Sequence, residues 1–124
     1  MTKKVLIADD EQNIVISLEF LLRREGFEVL IAVDGEAALA KARAEKPDLV
    51  LLDVMMPGMD GPTTLRMLRE LPGFADTPAI FMTAKVQPGE VAHYLELGAM
   101  DVIPKPFDPM TLSSQVKTIW AHRH

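Results

Sequence analysis

The chain has 124 residues, 48% of them apolar and 25% charged, with 13 Lys and Arg against 18 Asp and Glu for a formal net charge of −5. At about 100–200 residues per domain this is one domain, residues 1–124, and the composition is that of a globular rather than a disordered chain. The acidic balance argues against a nucleic-acid partner, the lack of cysteine excludes disulfides and thiol catalysis, and no apolar run approaches the roughly 18 residues of a membrane span.

The first apolar run, residues 5–8, follows two lysines and meets Asp9, Asp10 and Glu11. It is too short for the apolar region of a signal peptide, and a cytoplasmic location is expected. Continuous apolarity predicts a strand buried on both faces of a parallel sheet. Ile14, Leu18, Leu21 and Leu22 then recur at i, i+4, i+7 and i+8, a helical stripe that Gly26 stops. Residues 29–32 read as the second strand. Asp34 suits the N-cap of an Ala-rich helix over 36–45, ended by Pro47. The third strand, 49–52, runs into Asp53. Asp60 or Gly61 opens a third helix, with Pro62 in its first turn and Leu65 and Leu68 facing inward. The fourth strand, 79–82, ends at Thr83, and a helix over 88–97 stops at Gly98. A short fifth run, 102–103, leads to Lys105 between Pro104 and Pro106. Asp108 and Pro109 form the N-cap and N1 pair of a last helix whose stripe is Leu112, Val116, Ile119 and Trp120.

Five strand–helix units predict an α/β fold, an open, doubly wound parallel sheet with helices on both faces. Such sheets bind ligands at the carboxyl ends of their strands, and that is where the polar residues collect: Asp9, Asp10 and Glu11, then Asp53, Thr83 and Lys105. Two carboxylates about 4 Å apart repel by about 4 kcal/mol at an effective dielectric of about 20. A hard divalent cation such as Mg²⁺ offsets this, since carboxylate oxygens are its preferred ligands. An acidic cluster with a cation, a lysine and a hydroxyl suits phosphoryl transfer, where positioning and charge neutralisation carry the reaction. Asp53 stands alone at its strand end and is assigned as a nucleophile that forms an aspartyl phosphate. Asp9 and Asp10 are assigned to the metal, the Thr83 hydroxyl to a phosphoryl oxygen and Lys105 to the phosphoryl charge.

Each residue alone has a blander reading: a solvated turn, a helix cap, a strand former, a surface lysine. The constellation carries the assignment. Met55, Met56 and Met59 read as packing, and Pro57, Gly58 and Gly61 as turn chemistry. His93 reads as exposed and inert, His122 and His124 as terminal residues without a role.

In order along the chain, Asp9–Asp10, Asp53 in the stretch running to Gly61, Thr83–Ala84, Gly98–Ala99 and Lys105–Pro106–Phe107 resemble the motifs of the receiver (CheY-like) domain of two-component response regulators. The resemblance spans essentially the whole chain. It implies a flavodoxin-like (βα)₅ sheet of order 2-1-3-4-5 and a phosphohistidine donor on a sensor histidine kinase or phosphotransfer protein. It also implies Mg²⁺ held directly by Asp10 and Asp53, through water by Asp9, and by the main-chain carbonyl of Met55. The Lys105–Pro106 peptide is expected to be cis. Such a domain is a signalling switch, not an enzyme beyond its own phosphorylation and dephosphorylation. Its output surface is the fourth helix, fifth strand and fifth helix, here including Glu90, His93, Tyr94, Met100, Asp101 and Val102, through which two copies can also pair. The expectation is a chain without an output module of its own, acting on an output partner or on a module of a longer protein.

Two departures stand out. Val102 occupies the position where the family often carries a switching aromatic, so a switch here relies on backbone shifts. Met55 and Lys85 occupy positions that tune hydrolysis in the family, and Met55 is poorly suited to orienting water, which implies a long-lived phosphoryl state. Two other functions were weighed. A degenerate receiver used only for docking has Val102 in its favour and the complete polar set against it. A Mg²⁺-dependent aspartyl-phosphate phosphatase would need a second acid–base residue where Met55 stands.

Overall fold

The computed structural model describes residues 3–84, 86–108, 110, 112 and 114–118. In chain order the elements are β1 (Lys4–Ala8), α1 (Gln12–Arg24), β2 (Glu28–Ala32), α2 (Gly35–Glu45), β3 (Leu49–Asp53), α3 (Gly61–Glu70), β4 (Ala79–Thr83), α4 (Pro88–Glu96) and β5 (Asp101–Pro104). Residues 110, 112 and 114–118 are helical and belong to α5. Lys85, Pro109, Ile119, Trp120, His122 and His124, all named above, lie outside the described residues.

The strands pair in parallel in the order β2-β1-β3-β4-β5, as the resemblance implies. Alternate strand residues point to opposite faces, which divides the core in two. Leu6, Val50, Leu52, Phe81 and Val102 pack under α2, α3 and α4. Val5, Ile7, Leu49, Leu51, Ile80, Met82 and Ile103 pack under α1, Leu112 and Val116. The three central strands have apolar runs because they are covered on both sides. β2 is an edge strand, and its Leu30 and Ile31 are half-buried instead. The strands run one or two residues beyond their apolar runs, because backbone ladders continue where apolar side chains stop. Val54 N–H still donates to the Met82 carbonyl at 3.0 Å beyond Asp53.

Helix starts follow the side-chain caps. Asp34 accepts from Ala37 N–H and Asp60 from Thr63 N–H, both at 2.8 Å, so Asp60 is the cap and Gly61 the first helical residue. Lys46, at φ 52°, closes α2 one residue before Pro47. In α1 the buried residues are Val15, Leu18, Leu21 and Leu22. Ile14, expected in the stripe, is only half-buried, since Val15, Leu18 and Leu22 form the tighter i, i+3, i+7 line.

Candidate phosphoacceptor site

Strand register brings the polar residues together. β1 pairs Ala8 with Leu52, β3 pairs Asp53 with Met82, and β4 pairs Thr83 with Pro104. Asp9, Asp53, Thr83 and Lys105 therefore stand on adjacent strands along one edge of the sheet. Asp9, Asp53 and Thr83 are all buried, although the rest of the buried set is overwhelmingly apolar. Burial of that kind requires partners.

Lys105 is the main partner. Its Nζ lies 2.9 Å from Asp9 Oδ2, 3.1 Å from Asp53 Oδ1 and 2.8 Å from Glu11 Oε1. Its backbone N–H donates to the Thr83 carbonyl at 2.9 Å, which ties the end of β5 to the end of β4. The Lys105–Pro106 peptide is cis. Burial by itself would lower the Lys105 pKa. The contacts to Glu11, Asp9 and Asp53 outweigh it and push the pKa upward, so the ammonium keeps its charge.

At Asp53 burial wins over the favourable contacts instead. Burial, and secondly the charge of Asp9, raise its pKa from the ordinary 3.8 to about 6, against the pull of Lys105 and the Met55 N–H. That N–H reaches Asp53 Oδ1 at 3.3 Å. Asp9 Oδ1 accepts the Glu11 N–H at 2.8 Å. Asp9 Oδ2 is buried, within ion-pair distance of Lys105 but outside hydrogen-bond geometry, and has no hydrogen-bond donor.

Ligand oxygens of Asp9, Asp10 and Asp53 lie within 4.8 Å of one another. An all-oxygen donor set with an orphaned buried carboxylate oxygen fits a hard divalent cation. Asp10 is the exposed member of the three.

Glycine shapes the floor. A Cβ on Gly61 would stand 2.5 Å from the Asp53 carbonyl oxygen and 3.0 Å from Val54 Cα. The chain needs Gly61 for this close approach, a stronger constraint than the turn chemistry read from the sequence. Of the loop methionines, Met56 and Met59 pack as expected, whereas the Met55 side chain is 70% exposed. His93 is exposed as expected. Glu11 was named at the end of the first strand without a role. The signal available was a third consecutive acid beside a single lysine, but their contact spans 94 positions.

The expected output surface is altered at two positions. Tyr94 and Val102 are 8% and 7% exposed. Both belong to the core under α4, where Tyr94 meets Phe81 edge-on with ring centroids 5.3 Å apart. His93 and Met100 are exposed, Glu90 and Asp101 half-buried.

A doubly wound sheet with an acid-and-lysine edge defines a class of protein that works at the carboxyl ends of its strands. A family model for the response regulator receiver domain matches residues 5–117, and the chain belongs to that family. It is 44% identical over 119 residues to the alkaline phosphatase synthesis transcriptional regulatory protein PhoP of Bacillus subtilis, covering 96% of this chain and 49% of that protein. It is 41% identical over 119 residues to the response regulator PleD of Caulobacter vibrioides, covering 96% and 26%. The chain thus spans about half the length of one curated relative and about a quarter of the other. Among solved structures, the chemotaxis response regulator CheY4 of Vibrio cholerae superposes with a TM-score of 0.91 at 32% identity, covering 96% of this chain and 99% of that one. Receiver domains of response regulators interact with histidine kinases and output domains.

Proposed function

We propose that this receiver is a phosphorylatable switch in which Asp53 accepts a phosphoryl group from the phosphohistidine of a sensor histidine kinase or phosphotransfer protein. The observation that carries the reading is the Asp53 carboxylate, buried, 3.1 Å from the Lys105 ammonium and grouped with Asp9 and Asp10. An Asp53 oxygen attacks phosphorus and forms an O–P bond as the P–N bond to the donor imidazole breaks. The imidazole leaves with the electron pair and is protonated from solvent. Lys105 contacts one phosphoryl oxygen, and the Thr83 hydroxyl donates to another.

Asp10 and Asp53 would hold Mg²⁺ directly, Asp9 through water, and the Met55 main-chain carbonyl would complete the protein ligands. Bound there, the ion would supply positive charge to offset the negative charge of the acceptor and of the phosphoryl group. A switch follows from the Lys105 N–H to Thr83 carbonyl bond: displacement of Thr83 is passed through the backbone to β5 and on to the exposed residues around His93 and Met100. That route needs no aromatic at Val102. The protein carrying this domain acts in the cytoplasm, and its output is a partner or module engaged through α4, β5 and α5.

The test is phosphoryl uptake from acetyl phosphate with Mg²⁺, followed by intact mass. Wild type is expected to gain one phosphoryl group, and to gain none when the metal is chelated before the donor is added. Asp53→Asn is expected to gain none. Uptake by Asp53→Asn equal to wild type would remove the acceptor assignment, and a wild type that never takes up phosphate would point to the docking-only reading.

A further inference from the structure

We propose that Glu11 is a positioning residue acting through Lys105: a counter-ion that holds the resting lysine and restrains phosphoryl uptake until it lets go. This rests on the acceptor reading of Asp53 given above.

An ammonium has three N–H donors, and at Lys105 three carboxylates stand within 3.1 Å, from Asp9, Glu11 and Asp53. The Glu11 carboxylate takes a hydrogen bond from the ammonium, and the three carboxylates together fill the space around it that an incoming phosphoryl oxygen would need. The lysine must give up a partner, and the three are not equivalent. The Asp9 side chain is fully buried and its other oxygen is tied to the Glu11 N–H, so releasing it strands a charge in a dry place. Asp53 is the acceptor. The Glu11 side chain is 58% exposed, and water solvates it once the lysine leaves.

Two features mark the Glu11 contact as selective. Glu11 occupies the N-cap position of α1, yet its side chain caps no backbone N–H. Its carboxylate turns instead to Lys105, at the shortest of the three distances. While it does so, it neutralises charge that Lys105 would otherwise present to an anion arriving at Asp53.

The experiment compares the affinity of beryllofluoride, a phosphoryl mimic, for wild type, Glu11→Gln and Glu36→Gln. The measurement is calorimetric, at saturating Mg²⁺, in about 0.1 M and about 1 M salt. Glutamine keeps the length and removes the charge. Glu36 is an exposed acid in the first turn of α2, on the same edge of the sheet but without a Lys105 contact, so its variant controls for the general field. Glu11→Gln is expected to bind about two- to five-fold more tightly at the lower salt, the span of an exposed ion pair. The gain should shrink at the higher salt, which a structural effect would not do. Glu36→Gln should match wild type. Equal or weaker binding by Glu11→Gln, or an equal gain in Glu36→Gln, overturns the role of Glu11 while leaving Asp53 as acceptor. Failure of wild type itself to bind beryllofluoride overturns both.

Discussion

Lys105 and Arg69 are two half-buried cations at opposite edges of one sheet, and they are satisfied in different ways. Arg69, near the end of α3, donates to the carbonyl oxygens of Phe74, Thr77 and Gly98. It stitches the approach to β4 to the turn after α4. Burial lowers its pKa, with the charge of Asp76 opposing the shift, but its hydrogen-bond acceptors are neutral carbonyls. Lys105 faces three carboxylates, with Asp10 close by. The first arrangement is complete. The second has more negative charge than one lysine can match, and an excess of that kind is what a divalent cation can offset. A polar site built for stability saturates its groups, whereas a reactive one leaves an imbalance.

The contrast can be broken at either end. The largest effect is expected at the saturated edge. Arg69→Ala leaves three carbonyls short of a charged donor and should cost about 3 kcal/mol in urea unfolding, while Mg²⁺ still binds. A loss below about 1 kcal/mol would deny Arg69 its stitching role.

At the reactive edge the sign reverses. Native Asp53 holds its proton up to about pH 6, whereas the unfolded chain releases it near 3.8. Between those values the native state binds more protons, so Asp53 makes stability fall as pH rises through the window. Asp53→Asn abolishes that fall. The variant should be more stable than wild type by about 2 kcal/mol at pH 7.5, with the gain disappearing below about pH 4. Denaturation series at both pH values check this, and a loss of stability at pH 7.5 would contradict the burial cost assigned to the carboxylate.

The smallest effect sharpens the comparison. Mg²⁺ at ten times its dissociation constant should stabilise wild type by about 1.4 kcal/mol, seen as a raised melting temperature. Arg69→Ala should retain that increment and Asp53→Asn should lose most of it. Equal increments in all three would place the ion away from Asp53.

The order of elements was legible because stops and caps punctuate the chain: Gly26, Pro47 and Gly98 follow α1, α2 and α4, and Asp34 and Asp60 cap the starts of α2 and α3. The residues of the edge cluster could be named because a parallel sheet sends all its strand ends to one side. Other features lay beyond one-dimensional reading. Glu11 and Arg69 act through partners far along the chain, so no local pattern marks them. Tyr94 reads as a surface residue of α4 until it is seen packed edge-on against Phe81, the β4 residue paired with Val102. The half-burial of β2 followed from its place at the sheet edge, which the local sequence pattern did not give.

The burial of Tyr94 has a practical side. It is the chain's sole tyrosine, fixed edge-on to Phe81 two positions from Thr83. A phenol ring held rigidly in an asymmetric apolar setting is a natural chromophore. The near-ultraviolet circular dichroism difference between wild type and Tyr94→Phe, which cancels the Trp120 signal, therefore watches the seat of the fourth helix with no dye or label attached.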